Sequence, residues 1–195
     1  MGSINPVTRE INFRIVYWGP ALSGKTTNLL FMYNKIAAES KGTLVTLPTT
    51  TERTLFFDFF PMELGEIQGF RTRFHLYTVP GQDYYRASRK LIVNGVDGLV
   101  FVADSQASMN GDNVTSLRDL EDTLEKQGLA LESVPTVFQY NKRDLEEIRE
   151  LEVMEAELNN WAKPSYPAVA TTGDGVVKTL RTVCQMVVEN LEHKN

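Results

Sequence analysis

Short apolar runs recur along this chain and predict β-strands. They lie at residues 11–19, 54–60, 72–79, 98–104 and 135–141, with a last short strand expected at 168–171. The runs at 98–104 and 135–141 are continuously apolar, which is typical of central strands covered on both faces. The aromatic-rich runs at 54–60 and 72–79 follow one another closely and predict a long hairpin.

Helical patterns separate most of these strands. A helix is predicted at 25–38, and apolar residues recur at helical spacing from Val114 to Leu124, from Ile148 to Trp161 and from Val176 to Leu191. Strands that alternate with helices predict an α/β fold with an open, mainly parallel sheet. In such a sheet the ligand lies beyond the carboxyl ends of the strands.

Composition narrows the class of protein. The 195 residues are 42% hydrophobic and 23% charged, which fits one globular domain spanning 1–195. The net charge of −5 argues against nucleic-acid binding, which needs a basic face. Cys184, the one cysteine, lies in an apolar helical pattern and is expected to be a buried thiol. No secretory signal, membrane span or direct membrane anchor is evident, so the expected location is cytoplasmic.

The segment GPALSGKT at 19–26 matches the phosphate-loop pattern G-x-x-x-x-G-K-[ST], between a predicted strand and a predicted helix. Glycines let the backbone N–H groups turn toward phosphates, and the helix N-terminus adds partial positive charge. Lys25 would reach the β- and γ-phosphates, and the Thr26 hydroxyl would bind Mg²⁺. The residues predicted to bind the nucleotide in and just after this segment are Gly19, Ala21, Leu22, Ser23, Gly24, Lys25, Thr26 and Thr27.

The segment NKRD at 141–144 follows the strand at 135–141 and predicts a site for guanine. The Asp144 carboxylate can accept hydrogen bonds from the guanine N1–H and amine, whereas adenine would leave it unpaired. Asn141 would support the loop, and the Lys142 stem would flank the base. In the segment ATTG, the backbone N–H groups of Ala170 and Thr171 can reach the guanine O6.

With these loops in order, nearly the whole chain resembles the small Ras-like GTPases, and within them the MglA-type bacterial GTPases. The resemblance is carried by long stretches: REINFRIVYWGP, SGKTTNL, ERTLFFDF, TRFHLYTVPGQ, ASRKLI, GVDGLVFVADS and NKRDL. It implies a Ras-like P-loop G domain, with a mostly parallel six-stranded sheet flanked by helices.

The resemblance also implies a function. Members of this family are switches that are active with GTP and inactive with GDP, with Mg²⁺ as cofactor, and they control cell polarity and gliding motility. It further implies an MglB-type roadblock GTPase-activating dimer as a partner, polarity and motility effectors that prefer the GTP form, and recruitment to a cell pole.

Several residues take roles from the resemblance. Thr54 would sense the γ-phosphate and contact Mg²⁺, and Gln82, beside Gly81 of the nucleotide site, would orient the attacking water. Arg53 could act as an arginine finger supplied by the same chain, a device worth about 10³–10⁵ in rate. An alternative for Arg53 is that it is only solvated. Tyr84 and Tyr85 follow Gln82 and could contact a partner that binds the GTP form.

Thr78 stands where other GTPases carry an aspartate that holds the water shell of Mg²⁺. Asp58, surrounded by aromatic residues in LFFDFF, is the candidate replacement, through water, because a charge on an apolar strand is costly unless it is paired. The alternative is an exposed edge-strand residue that limits aggregation.

Ala21 stands at a position where this family often has glycine, and its methyl group is expected to slow hydrolysis while leaving nucleotide binding normal. Three functions stay open from the sequence: a hydrolysing switch, a nucleotide-gated binding module with negligible hydrolysis, and a phosphoryl transferase or ATPase. The third is disfavoured by NKRD and by the absence of any evident second substrate site.

Overall fold

A computed structural model describes residues 2–36, 40–48, 53–59, 66–67, 69–79 and 92–193. The strands are β1 (Ser3–Asn5), β2 (Glu10–Trp18), β3 (Val45–Pro48), β4 (Arg53–Phe59), β5 (Glu66–Ile67), β6 (Phe70–Thr78), β7 (Gly98–Asp104), β8 (Thr136–Asn141) and β9 (Ser165–Pro167). The helices are α1 (Lys25–Lys35), α2 (Asn110–Glu125), α3 (Leu151–Leu158) and α4 (Val176–Glu192). None of these four helices is both long and apolar enough to cross a membrane.

The strands form one sheet in the order β3-β4-β6-β2-β7-β8-β9. Strands β6, β2, β7, β8 and β9 run parallel, and β4 pairs with β6 in the antiparallel sense. The predicted mostly parallel framework of six strands, from β4 to β9 along this order, is therefore confirmed. Three short strands extend it: β1 pairs with β2, β3 with β4 and β5 with β6.

Alternating side chains of β2 explain why helices cover both faces. Phe13, Ile15 and Tyr17 pack in one apolar cluster with residues of α1 and α4. Val16 and Trp18 pack in a second cluster on the other face, with residues of α2 and α3. Because helices cover both faces of the sheet, its central strands are almost continuously apolar. Strand β7 is an example, since every one of its residues is buried.

Cys184 on α4 is the buried thiol that the sequence predicts. It is 2% exposed, and burial raises the pKa of its thiol well above the ordinary value. Because the thiolate is the reactive form, this cysteine is an inert packing residue.

The predicted hairpin of β4 and β6 is confirmed, and its register decides which residues reach the edge of the sheet. Phe56 lies opposite Tyr77, and Asp58 lies opposite His75. Because the pair is antiparallel, the amino end of β4, with Arg53 and Thr54, lies toward the carboxyl end of β6.

Three predicted boundaries were wrong. The helix predicted at 25–38 ends at Lys35, because the backbone of Ile36 is extended. The last strand is Ser165–Pro167 and not 168–171, because the chain turns after Ala168, whose N–H donates to Tyr140 O, and Val169 then bridges Asp174. The helical pattern from Ile148 to Trp161 forms a helix only over Leu151–Leu158. Ile148 instead bridges Gln106, and the Trp161 ring stacks on Phe138.

Candidate functional site

The predicted loops meet at one edge of the sheet. Strand β2 has β6 on one side and β7 on the other, so the chain connections leave in opposite directions around it. Gly19 follows β2, Ser105 follows β7, and Lys142 follows β8, all at carboxyl ends. A crevice at such a reversal of strand order is where open α/β sheets bind ligands.

The phosphate loop depends on two glycines in conformations that other residues rarely adopt. Gly19 has a φ of 147° and Gly24 a φ of 101°. A Cβ at Gly19 would lie 2.2 Å from the Val102 carbonyl oxygen, and one at Gly24 would lie 2.1 Å from Asn141 Nδ2. Glycine at these two places therefore lets the phosphate loop pass close to β7 and to the last residue of β8.

Lys25 and Ser23 are buried inside the loop. The Lys25 side chain folds back, so that its Nζ donates to Gly19 O at 2.9 Å and to Pro20 O at 2.5 Å. Ser23 Oγ has no hydrogen-bond partner within the part of the chain that the structure describes. Thr26, the second residue of α1, is half-buried beside them. A buried ammonium and an unpaired buried hydroxyl form a cradle suited to phosphate oxygens.

Asn141 joins three segments of the site. Its side chain is 2% exposed. Its Nδ2 donates to Ser23 O at 2.7 Å, and its Oδ1 accepts from Ala170 N at 2.9 Å. The backbone oxygen of Asn141 accepts from Ser105 N. One buried amide thus fixes the distance between the phosphate loop and the segment ATTG.

The same contact distinguishes Ala170 from Thr171. The Ala170 N–H is engaged by Asn141 and holds the loop. The Thr171 N–H has no hydrogen-bond partner among the described residues, and Thr171 is exposed. Ala170 and Thr171 both stay predicted backbone donors to the guanine O6. Asp144 is also exposed, three residues beyond Asn141.

Thr78 lies at the carboxyl end of β6 and is fully buried. It lies opposite Tyr17, which precedes Gly19 of the phosphate loop by two residues. Asp58, the predicted metal support, lies on the neighbouring strand β4. Asp58 pairs with His75, three residues before Thr78, which is about 10 Å along the strand. The support of Mg²⁺ by Asp58 through water stays a prediction.

The remaining predicted residues divide into two groups. The backbones of Arg53 and Thr54 lie at the amino end of β4, toward the carboxyl end of β6, and their roles stay predictions. Gly81, Gln82, Tyr84 and Tyr85 lie outside the described residues.

One set of site residues was missed from the sequence. Asp104, the last residue of β7, is fully buried, and its Oδ2 lies 2.5 Å from Lys142 Nζ. Beyond it, the segment 105–107 runs beside 147–149: Arg149 N donates to Ser105 O, and Ala107 N donates to Glu147 O. The one sequence signal was a carboxylate at the carboxyl end of an apolar central strand.

Three segments lie at one edge of the parallel sheet: the phosphate loop at 19–26, the segment NKRD at 141–144, called the base loop, and the segment ATTG at 170–173. Together they define a small GTPase domain. The ADP-ribosylation factor family matches residues 3–187, and the chain belongs to that family. It is 57% identical over 192 residues to the mutual gliding-motility protein MglA of Myxococcus xanthus (strain DK1622), covering 98% of both chains. It is 29% identical over 185 residues to the human ADP-ribosylation factor-like protein 4A, covering 91% of this chain and 84% of that one.

Family membership implies guanine-nucleotide binding, typically with Mg²⁺, and the described residues fit both. The buried Lys25 ammonium and the Ser23 hydroxyl suit phosphates, and the Thr171 N–H suits a carbonyl on the base. Among the described residues, no three His, Cys, Asp or Glu side chains cluster as a metal site. The Thr26 hydroxyl is an oxygen ligand of the kind that can hold Mg²⁺ together with phosphate oxygens.

Proposed function

We propose that this chain is a GTP-binding switch that hydrolyses GTP to GDP and controls bacterial cell polarity and gliding motility. The observation that carries the guanine-nucleotide site is the Asn141 amide, which joins the phosphate loop to the segment ATTG. The biological role rests on the 57% identity to MglA, whose name refers to gliding motility. A single domain in the cytoplasm, recruited to a cell pole by partners, fits this role.

The chemistry follows from where the side chains lie. In exchange for its contacts with Gly19 O and Pro20 O, the Lys25 ammonium would contact the β- and γ-phosphates. The Thr26 hydroxyl would hold Mg²⁺, whose charge would stabilise the transferring phosphoryl group. Arg53 would add a second positive charge in the transition state, Thr54 would sense the γ-phosphate, and Gln82 would orient the water.

The partners that we propose are an MglB-type roadblock dimer, which accelerates hydrolysis, and polarity and motility effectors that bind the GTP form. Arg53 and Thr54 begin β4, toward the carboxyl end of β6, so a partner that contacts them could act on the γ-phosphate. Such a segment is ordered by the γ-phosphate and released after hydrolysis in GTPases.

The first test is single-turnover phosphate release from purified protein loaded with GTP and Mg²⁺. We expect slow release from the protein alone and release at least about tenfold faster with a roadblock-type dimer, equivalent to about 1.4 kcal/mol in the barrier. A large excess of ATP should not displace fluorescent GDP. Equal competition by ATP would contradict guanine specificity. Tightly bound GTP with no release under either condition would favour the nucleotide-gated binding module instead.

A second prediction concerns Ala21. Ala21 is half-buried and lies outside the left-handed region, so its replacement by glycine relieves no backbone strain and removes only a methyl group. We expect Ala21→Gly to speed single-turnover hydrolysis by roughly three- to tenfold, about 0.7–1.4 kcal/mol, because glutamine and arginine gain room in the transition state. GDP dissociation should change by less than about twofold. Equal hydrolysis rates for wild type and Ala21→Gly would overturn this prediction.

A further inference from the structure

The buried carboxylate of Asp104 is placed to organise the base loop. It ends the central strand β7, is fully buried, and lies 2.5 Å from the Nζ of Lys142. The Lys142 side chain is 26% exposed, so the pair spans from the protein interior to the mouth of the crevice. A buried carboxylate requires a positive partner, and among the described residues Lys142 is the cation that contacts Asp104.

Asp104 is itself held from several directions. Its Oδ1 accepts from Gln106 N at 3.1 Å, and the Gln106 amide donates to Oδ1 at 3.1 Å and to Oδ2 at 3.2 Å. Its backbone N–H donates to Asn113 Oδ1 at 2.9 Å, and its backbone oxygen accepts from Asn113 Nδ2 at 2.8 Å. Because Asn113 lies on α2, the carboxylate is fixed relative to both the sheet and a helix.

Lys142 needs such an anchor. Its φ of 66° lies in the left-handed region, which a lysine rarely adopts, and a long unbranched side chain has many rotamers in water. The ion pair with Asp104 selects one course for the stem before any ligand arrives. It also neutralises the ammonium, so that Lys142 contributes its apolar stem to the site rather than a free charge.

We propose that Asp104 is a positioning residue that acts through Lys142: it holds the lysine stem in place to flank the guanine base. This inference rests on the proposed guanine-nucleotide function and adds a residue outside the phosphate-loop and NKRD motifs. Ordering the stem in advance removes an entropy cost from nucleotide binding, and the gain appears mainly as slower dissociation.

The test is the dissociation rate of fluorescent GDP from the full chain with Mg²⁺. Asp104→Asn keeps the shape of the side chain and removes its charge, and it should speed dissociation about tenfold, which corresponds to about 1.4 kcal/mol. Gln106→Ala, which removes amide donors but leaves the ion pair, should speed it less. Asp97→Asn is the matched control. Asp97 directly precedes β7, at the end opposite Asp104, and its carboxylate accepts a hydrogen bond from Arg14 N. The Asp97→Asn variant should release GDP at the rate of wild type.

A double-mutant cycle separates positioning from a general structural role. In the Lys142→Met background, Asp104→Asn should change dissociation by less than about twofold, because the group through which it acts is gone. The same acceleration in both backgrounds, or an unchanged rate for both Asp104→Asn and Gln106→Ala, would overturn the proposal. If the wild type fails to bind GDP, the proposed function fails instead, so the two failures are distinguishable.

Discussion

Gly19→Ala is expected to abolish GDP binding and to lower the free energy of unfolding by roughly 3–5 kcal/mol. The new Cβ would lie 2.2 Å from the Val102 carbonyl oxygen, and the residue would have to keep a φ of 147°. Val102 belongs to the central strand β7, which pairs with β2 on one side and β8 on the other, so this oxygen cannot move without disturbing the sheet. The phosphate loop must move instead. Denaturant unfolding and fluorescent GDP titration measure the two effects.

Gly111→Ala is the matched control for this prediction. No atom lies within 4 Å of a Cβ at Gly111, its φ is ordinary, and it lies in the first turn of α2. Alanine there should raise the free energy of unfolding by about 0.4–1 kcal/mol and leave GDP binding unchanged. The argument would be wrong if Gly19→Ala bound GDP like wild type and unfolded within about 0.5 kcal/mol of it.

Asn141→Ala is expected to release GDP at least about 100-fold faster and to destabilise the protein by about 2–4 kcal/mol. The substitution leaves Ser23 O and Ala170 N without the partners that they have at 2.7 and 2.9 Å. Unpaired buried groups cost about 1–3 kcal/mol each. The larger effect on nucleotide follows because both loops around it lose their common support. Stopped-flow displacement of fluorescent GDP measures it.

Asn159→Ala separates the site effect from a loss of stability. Asn159 is also buried, at 6% exposed, and its amide bonds to Glu155 and Lys163, away from the phosphate and base loops. It should destabilise the protein to a similar degree while GDP dissociation stays within about twofold of wild type. Equal acceleration by the two substitutions would show that GDP release reports global stability and not the Asn141 bridge.

Contacts between residues that are distant in the chain could not be predicted from the sequence. Asp58 is expected to support the metal because a carboxylate on an apolar strand is costly unless it is paired, and the structure adds that Asp58 lies opposite His75. Nothing local in LFFDFF encodes that register. The Ala170 N–H, a predicted donor to the base, donates to the Asn141 side chain, 29 residues earlier in the chain. The Asp104–Lys142 ion pair joins the ends of two neighbouring strands, and no sequence motif contains both residues.

The sequence by itself determined the order of strands and helices, the mainly parallel framework and the loops that carry phosphate and base chemistry. These features follow from local rules: apolar periodicity, glycine conformation and the spacing of a few side chains. The tertiary structure alone decided the register of β4 against β6, the hydrogen bond between Ala170 and Asn141, and the buried anchor of Lys142. Each of these depends on contacts between residues distant in the chain, whose geometry is set by how the strands pair and not by any one segment.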